Sequence, residues 1–552
     1  MKTSRILFAA VLAAILGVSA SASDSKDRFA RKLNTLNSIV KELQTGYVDT
    51  LEVEKLMDGT IGALLYQIDP YTEYYPSDDQ DELLSLSASG YAGIGSVISK
   101  RGDNIIIAEP SWNSPARRTG LRRGDVILAV DGDTVRANTD ITSVSRRLRG
   151  QAGTRVRVDV ARPWVGADSL LSFEITREKI VTEPVPFSGI LPDSVGYIML
   201  TTFSENAARD VKQAVTELKQ HPGLKGLVLD LRGNGGGLLD GAVQIAGLFV
   251  PKGTEIVRTR GREVEESIYK TTRRPIAADV PLVVLVDGGT ASASEIVSGA
   301  LQDLDRAVVL GERTFGKGLV QSTRPLPYDD LLKLTTARYY IPSGRLIQAL
   351  NYAERNEDGT PTRTPDSLTT AYTTRAGRIV RDGGGITPDI LASSHEIGSL
   401  PNQLLGSSTI FDFANRYYAA HPEAPAVDAV LADSAVFESF REFATPDRFN
   451  YDRRCDMAID LLRRTAEAEG YMTDSVAAQI DALAAVLRHD LAHDLERDRA
   501  DITMLLESEL GRRYFSDRDF VSRNIGRDSV LTRARELLAD PAAYRAVLRP
   551  AR

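Results

Sequence analysis

A short apolar run at Leu282–Val286 limits the folds available to this chain. It reads LVVLV, with no polar position, so it predicts a strand that is buried on both faces. Comparable strands are expected at residues 196–200, 226–231 and 307–310, and segments with helical periodicity lie near residues 205–219, 238–248 and 293–304. Strands that alternate with helices predict an α/β core with a largely parallel sheet. We place this core at residues 181–392.

The remaining sequence predicts further domains, because 552 residues are too many for one hydrophobic core at about 150 residues per domain. Residues 23–88 have helical periodicity up to the Asp69-Pro70 pair, where the residue before proline leaves the helical region. Residues 393–552 predict a helical extension, with helices at 453–470, 475–510 and 529–538.

The N-terminal residues have the pattern of a secretory signal. Lys2 and Arg5 precede the apolar run Ile6–Val18, and small residues follow up to Ala22. This order predicts a signal peptide at residues 1–22, cut near Ala20 or Ala22. The run is shorter than the roughly 20 residues that a membrane span needs. We expect an exported protein in the periplasm, with a membrane-associated or extracellular location as the alternative, and with no integral membrane segment after signal removal.

Charge and cysteine content exclude several classes of protein. The formal net charge is -8, which argues against nucleic acid as a partner, since such proteins present a basic face. Cys455 is the one cysteine of the sequence, so neither an internal disulfide nor a cysteine-ligated zinc site is expected.

Residues 89–180 predict a small domain of short strands and turns. Strands are expected at 96–99, 104–108, 124–132, 155–160 and 171–176, with a short helix from Ser114 and another at 139–148. This order resembles a PDZ domain of the bacterial protease type. The resemblance makes the loop Tyr91-Ala92-Gly93-Ile94-Gly95 the carboxylate-binding loop. Glycines allow consecutive amides to converge on a terminal carboxylate, and the next strand leaves an edge for an extended peptide.

Three hydroxyl groups follow the LVVLV strand, on Thr290, Ser292 and Ser294. One interpretation is structural, because residues Ser292 to Glu295 fit a capping box at the start of a helix. The other is catalytic. A nucleophilic hydroxyl on a strand-to-helix turn stands exposed, and the amide after it points at the substrate. This stretch alone leaves both interpretations open.

A nucleophilic serine needs a base to accept its proton. Between the signal and residue 390 the one histidine is His221, in a His-Pro-Gly turn, which gives little support to a Ser-His-Asp scheme. Lysine can serve if burial lowers its pKa from about 10.4 towards neutrality. Lys317 fits this role, and Gln321 is placed to orient its amine. The apolar pocket would be formed by Phe315, Leu319 and Val320.

Several ordered motifs resemble those of the carboxy-terminal processing peptidases, the tail-specific serine proteases of family S41. They are Ser292–Ile296 with Gly316–Gly318 and Gln321, together with DPYT at 69–72, DLRGNGGG at 230–237, LTTARYYIPSGR at 334–345 and GITPD at 385–389. The interval of 25 residues from Ser292 to Lys317 matches the family's nucleophile-to-base interval. The resemblance covers roughly residues 30–390. Two positions depart from the family pattern, since Gly235 stands where proline is frequent and Thr290 where serine is frequent.

The resemblance implies a ClpP/crotonase-like core with an inserted PDZ domain and a Ser-Lys dyad of Ser292 and Lys317. The substrate would be a protein or peptide with a free C-terminus, and no cofactor would be required. The amide of Ala293 would be one oxyanion donor by its position after the nucleophile. The resemblance selects Gly236 for the other.

Parts of the sequence also fit other functions. Residues 311–317 match the start of a P-loop, but Gly318 stands where a magnesium-binding Ser or Thr belongs. His489 and His493 are four residues apart on a predicted helix without an evident third ligand, so a solvated face is favoured over a metal site. The rival from another class is a catalytically silent PDZ scaffold or periplasmic chaperone. The C-terminal helices could mediate homo-oligomers or bind an adaptor.

Overall fold

The computed structural model describes residues 27–77, 90–166, 169–181, 183–393, 395–425, 434–449, 454–487 and 490–549. The predicted signal peptide lies outside these residues. The chain divides into two units, which are described separately. The smaller unit contains residues 1–80, 321–335 and 352–359, and the larger contains residues 81–320, 336–351 and 360–552.

The smaller unit begins with two helices, at residues 27–46 and Val53–Tyr66. Strand Glu73–Tyr75 follows and pairs antiparallel with residues 331–333 of strand Leu331–Tyr340. Between helix and strand, the Asp69 carboxylate accepts hydrogen bonds from the amides of Tyr71 at 2.8 Å and Thr72 at 2.7 Å. This turn supports the break that the sequence predicted at Asp69-Pro70, because the side chain replaces helical partners.

Within the larger unit, the predicted PDZ segment forms an antiparallel sheet with two short helices. The strands are Gly90–Gly93, Ser96–Arg101, Asn104–Pro110, Val126–Val130, Asp133–Thr134, Arg155–Ala161, Leu170–Thr176 and Glu178–Val181, and the helices are Pro115–Thr119 and Ile141–Leu148. Ser114 caps the first helix and Asp140 the second, each through a side-chain oxygen. Strand Ser96–Arg101 lies at the edge of its sheet, which leaves a backbone edge for strand addition.

The core sheet has six strands in the order Phe187–Ile190, Val195–Met199, Gly226–Asp230, Leu282–Val286, Val308–Gly311 and Ile390–Leu391. The first pair is antiparallel and the other four pairs are parallel. Helices Ala207–Leu218, Leu239–Ala246 and Ala293–Asp303 connect its strands. The predicted α/β class and largely parallel pairing are confirmed.

Additional strands outside this sheet were not predicted. They are Glu255–Gly261, Ser267–Lys270, Leu319–Pro325, Leu331–Tyr340, Leu350–Arg355, Pro361–Arg363, Ala371–Thr373 and Ile379–Arg381, with short 3-10 turns at Pro327–Asp329, Asp366–Leu368 and Ile525–Arg527. Glu255–Gly261 pairs antiparallel with Ser267–Lys270 and with the end of Leu331–Tyr340. These strands are rich in charged and hydroxyl side chains, so they lack the apolar runs that identified the core strands.

The two faces of strand Leu282–Val286 are covered by different parts of the chain. Leu282, Val284 and Val286 belong to the core cluster that includes the helices between the sheet strands. Val283 and Leu285 pack in a second cluster with residues of helices Ser529–Ala539 and Pro541–Val547. The Tyr544 hydroxyl also donates to the Leu282 carbonyl and accepts from the Leu282 amide, both at 3.0 Å. The end of the predicted helical extension therefore completes the core of the catalytic sheet.

The other C-terminal helices form a bundle around an apolar core of their own. They are Ser399–Gly406, Thr409–Ala420, Ser434–Phe443, Arg454–Ala468, Asp474–Val486, Leu491–Arg497, Arg499–Tyr514 and Asp517–Asn524. The segment 475–510, for which the sequence shows helical periodicity, contains parts of three helices. A new helix begins after Asp490, because the Asp490 carboxylate caps it by accepting a hydrogen bond from the Ala492 amide at 3.1 Å. None of the helices in the described ranges has the length and apolar composition of a membrane span.

This bundle contacts the PDZ segment through a buried ion network. Arg123 of the PDZ segment forms ion pairs with Glu109 of the same segment and with Glu509 of the bundle. Glu509 also pairs with the buried Arg513, 2.9 Å away. Nearby, the Arg101 guanidinium lies 3.8 Å from the ring centroid of Phe411. Such desolvated, mutually bonded charges fix an orientation, since removing one leaves its partner buried and unpaired.

The shared core predicts that a substitution in the C-terminal extension will disturb the catalytic sheet. Leu531→Ala removes a fully buried side chain that packs in the cluster with Val283 and Leu285. We expect a loss of about 2–5 kcal/mol in the free energy of unfolding, with faster hydrogen exchange in peptides that span residues 282–286. The matched control is Leu461→Ala, where the side chain is 59% exposed. Unchanged exchange at the catalytic strand in Leu531→Ala would contradict the shared core.

Candidate active site

The turn after strand Leu282–Val286 holds Ser292 in a strained conformation. Ser292 has φ 57° and ψ -115°, and a positive φ is uncommon for a residue with a side chain. The strand enters this turn from one side and helix Ala293–Asp303 leaves on the other. Strained strand-to-helix turns expose the side chain at their tip, and strain of this kind persists where the surroundings enforce it.

Burial distinguishes the three hydroxyl groups of this turn. Thr290 and Ser294 are fully buried. The Thr290 hydroxyl donates to the Leu231 carbonyl and the Ser294 hydroxyl to the Asn234 carbonyl, each at 2.9 Å. Ser292 is half-buried. Ser292 is therefore the hydroxyl of the three that a substrate can reach, and the other two stabilise the turn.

Glu295 joins this turn to the loop that carries Lys317. One carboxylate oxygen, Oε2, accepts from the Ser292 amide at 2.9 Å and from the Lys317 amide at 2.8 Å. The other oxygen accepts from the Thr314 hydroxyl at 2.5 Å and from the Gly316 amide at 2.8 Å. The capping interpretation of the sequence is thus correct for Glu295, which bonds back to the N-cap amide. The same carboxylate holds Ser292 and Lys317 close together.

The Glu295 carboxyl group is completely buried. Burial raises its pKa to about 7, and the hydrogen bonds from Thr314 and from the amides of Lys317, Ser292 and Gly316 oppose the rise. All four donors require an acceptor, so they favour the ionised form. Burial thus favours the neutral carboxyl group, the four hydrogen bonds favour the carboxylate, and both oxygens have donors in the segments that Glu295 connects.

Lys317 lies near the end of the loop of residues 312–318, which follows strand Val308–Gly311. Lys317 is half-buried. The predicted pocket around Lys317 is partly wrong. Phe315 is 42% exposed, and its amide donates to the Thr290 carbonyl at 3.0 Å. Val320 packs against the core cluster as a partly buried residue, and Leu319 is half-buried. Strand Leu319–Pro325 follows this loop, where a P-loop would have a helix.

Gln321 lies on strand Leu319–Pro325, in the smaller unit. Its side-chain amide donates to the Thr335 hydroxyl at 3.3 Å. The assignment of Gln321 as the residue that orients the lysine amine stays a prediction.

The glycine loop, residues 233–237, approaches the nucleophile turn closely. A Cβ atom on Gly236 would lie 2.8 Å from the Ala291 carbonyl oxygen and 2.9 Å from the Ala293 nitrogen. Glycine is required here for that approach and for its φ of 103°. The two predicted oxyanion donors, Ala293 and Gly236, are thus adjacent. The Gly236 amide, however, donates to Asn234 Oδ1 at 2.9 Å, so it would have to exchange that hydrogen bond to bind an oxyanion.

Asn234 is a site residue that sequence reasoning missed. Its side chain donates to the Leu200 carbonyl at 2.7 Å, and its own carbonyl accepts from the Ala291 amide at 3.0 Å and from the Ser294 hydroxyl. It therefore fastens the glycine loop to the turn on both sides of Ser292. The sequence signal for this role was the asparagine between two glycines in DLRGNGGG, because a buried asparagine side chain commonly forms hydrogen bonds with the nearby backbone.

Among the described residues, neither His221 nor His493 forms a hydrogen bond with Ser292. His221 Nε2 lies 3.4 Å from the Ser194 hydroxyl, in a turn before a core strand. His489 lies outside the described residues, and His493 is on helix Leu491–Arg497. In the part of the chain that the structure describes, no three His, Cys, Asp or Glu side chains are grouped as a metal would need.

The predicted carboxylate-binding loop is partly a strand. Tyr91, Ala92 and Gly93 belong to strand Gly90–Gly93, which pairs with Glu178–Val181. Ile94 and Gly95 form the turn that enters the edge strand Ser96–Arg101. Gly95 has φ 71°, and a Cβ atom there would lie 2.5 Å from the Ser114 Cβ. The role of this segment in carboxylate binding stays a prediction.

Sequence comparisons place this arrangement in a known class. Three family descriptions match: "Peptidase family S41" over residues 194–353, "PDZ domain" over 106–162 and "Probable PDZ-protease, C-terminal helical domain" over 400–538. The chain belongs to peptidase family S41, a family of serine peptidases. The family and the fold class expected from the sequence are confirmed.

Two curated relatives and one solved structure resemble the chain over more than half of its length. The chain is 34% identical over 324 residues to the carboxy-terminal-processing protease of Bartonella bacilliformis, covering 58% of this chain and 73% of the relative. It is 32% identical over 343 residues to the carboxy-terminal processing protease CtpA of Bacillus subtilis, covering 62% and 71%. The solved photosystem II D1 C-terminal processing protease is 30% identical and covers 64% of this chain and 85% of its own, with a TM-score of 0.37.

The four hydrogen bonds to Glu295 predict a marked loss of stability in Glu295→Gln. The glutamine side chain has one acceptor oxygen, so its NH₂ group would face two of the four donors. Each buried donor without a partner costs about 1–3 kcal/mol, so we expect the free energy of unfolding to fall by roughly 2–6 kcal/mol in urea titrations. Glu312→Gln, an exposed position on the same loop, is the control. Equal stability of the two variants would show that the clamp contributes little.

Proposed function

We propose that this chain is an exported serine endopeptidase that cleaves proteins or peptides near their C-termini with a Ser292–Lys317 dyad. The observation that carries the proposal is the shared hydrogen-bond acceptor Glu295 Oε2. Because the amides of Ser292 and Lys317 lie 2.9 and 2.8 Å from this one atom, their backbones must be neighbours. Ser292 is also the accessible hydroxyl of a strained turn, as a nucleophile requires.

In the proposed reaction, Ser292 Oγ attacks a peptide carbonyl carbon while neutral Lys317 Nζ accepts the hydroxyl proton. The carbonyl oxygen becomes an oxyanion, to which the Ala293 amide and an amide of the glycine loop donate, each worth about 3–4 kcal/mol in comparable sites. The lysinium protonates the leaving amine as the C–N bond breaks. Water, deprotonated by Lys317, then attacks the acyl-enzyme and releases Ser292. These steps require no cofactor.

The PDZ domain supplies the proposed selection of substrates. Strand Ser96–Arg101 has no strand on its outer edge among the described residues, and an extended peptide can add to such an edge. The turn at Ile94 and Gly95 begins this strand, where a terminal carboxylate would bind. We infer that the free C-terminus is held here while upstream residues reach Ser292.

The proposed location rests on the sequence of residues 1–22. Their basic start, apolar run and small-residue end support export to the periplasm. Association through the C-terminal helices, with a second copy or an adaptor, also stays a prediction.

The dyad predicts that three substitutions abolish cleavage of an unfolded protein. Ser292→Ala removes the nucleophile and Lys317→Ala removes the base. Lys317→Arg keeps a positive charge but cannot act as a base, because the arginine pKa exceeds about 12. We expect kcat/KM to fall at least about 10³-fold in each, with unfolding midpoints near that of the parent. If all three variants and the parent leave the substrate equally intact, the alternative of a silent PDZ scaffold or chaperone is favoured.

Recognition of the carboxylate predicts a difference between two peptides of one sequence. The free-acid peptide and its C-terminal carboxamide share every side chain, but the amide lacks the charge that converging N–H groups bind. Loss of a charge-assisted hydrogen bond costs about 1.5–3 kcal/mol, so we expect a KM roughly 10–100-fold higher for the carboxamide. A matched internal control is the Ser292→Ala variant, in which binding of the two peptides should differ by the same factor. Equal KM values would remove carboxylate recognition from the proposal.

A further inference from the structure

The hydroxyl of Tyr339 lies between the backbones of the two proposed catalytic residues. It donates a hydrogen bond to the Lys317 carbonyl, and it lies 3.1 Å from the Ser292 carbonyl oxygen. Tyr339 is 1% exposed and its ring belongs to the core cluster. A buried tyrosine hydroxyl needs partners, and here they are main-chain atoms of Ser292 and Lys317.

The surroundings fix the position of this hydroxyl. Tyr339 lies on strand Leu331–Tyr340, where it pairs with Thr259 of strand Glu255–Gly261. Its amide donates to the Gly318 carbonyl at 3.1 Å, directly after Lys317. The Tyr339 backbone is therefore tied to a neighbouring strand and to the lysine loop, and its ring is packed, so the hydroxyl is a rigid point of attachment.

We propose that Tyr339 is a positioning residue that sets the distance between Ser292 and Lys317. The two backbones are joined through their amides at Glu295 Oε2 and through their carbonyls at the Tyr339 hydroxyl. One attachment would leave a hinge between the segments, whereas two on different atoms restrict their relative rotation. This inference rests on the proposed Ser-Lys dyad.

The chemistry explains why such a restraint matters. Lys317 has a long side chain with several rotatable bonds, and its amine must lie within hydrogen-bond reach of Ser292 Oγ for proton transfer. A displacement of about 1 Å in a catalytic group can cost roughly 100-fold in rate. The phenol has one proton, which it shares between two carbonyls or gives to one of them. The Ser292 carbonyl also accepts a hydrogen bond from the Ile296 amide at 3.0 Å.

Tyr339→Phe tests the proposal, because it removes one oxygen and keeps the packed ring. We expect kcat for an unfolded protein or a peptide to fall about 10–100-fold while KM stays within roughly twofold, since substrate contacts are unchanged. Affinity of the Ser292→Ala/Tyr339→Phe protein for a free-acid peptide should equal that of Ser292→Ala. The matched control is Tyr340→Phe on the same strand, whose side chain projects to the opposite side; its kcat should equal that of the parent.

Two results would overturn the inference. One is a kcat in Tyr339→Phe within twofold of the parent. The other is a general loss, in which kcat, peptide affinity and the unfolding midpoint all fall together, because that marks a structural role. A failure of the proposed dyad can be distinguished from a failure of the Tyr339 proposal. If Ser292→Ala or Lys317→Ala retains activity, the proposed function fails irrespective of Tyr339.

Discussion

The site depends on one buried carboxylate. Glu295 accepts four hydrogen bonds from two segments: one from the Ser292 amide of the nucleophile turn, and three from Thr314, Gly316 and Lys317 of the lysine loop. Removal of an anion from water is unfavourable unless it is fully hydrogen-bonded, and here each oxygen has two donors. The four hydrogen bonds to the carboxylate can all form in only one arrangement of these segments, so they stabilise that arrangement. That arrangement places Ser292 beside Lys317, although 25 residues separate them in sequence.

A second constraint comes from the central strand. Leu282–Val286 is buried at every position, so both faces of the sheet must be covered. Helices between the strands cover one face, and helices from residues 529–547 cover the other. The bundle that precedes these helices forms ion pairs with the PDZ segment through Glu509 and Arg123. The C-terminal extension thus connects the strand that leads to Ser292 with the domain proposed to select substrates.

Much of this fold could be read from local patterns. Apolar runs identified the parallel strands, because this signal lies within a few neighbouring residues. The choice of Ser292 and Lys317 came from the resemblance to the S41 peptidases and from the interval of 25 residues between them, and their catalytic roles stay a prediction. Contacts between distant segments left weaker signals. The capping glutamate was visible in the sequence, but its hydrogen bonds to Thr314 and Gly316 were not, and no periodic pattern revealed the exposure of Phe315. The contacts of the Tyr339 hydroxyl with the Ser292 and Lys317 carbonyls arise from the tertiary fold, so no local sequence pattern indicates them.

The proposed reaction would divide the site into a part that stays fixed and a part that exchanges a hydrogen bond. Ser292 and Lys317 are held through Glu295 and Tyr339, and the strained φ of Ser292 is maintained by these bonds. The glycine loop differs, since its Gly236 amide is satisfied by Asn234. An oxyanion binds an amide more strongly than a neutral side-chain oxygen does, because charge-assisted hydrogen bonds are roughly twice as strong. Charge that develops on the substrate can therefore draw the Gly236 amide away from Asn234, so this donor would act most strongly at the transition state, where stabilisation raises the rate.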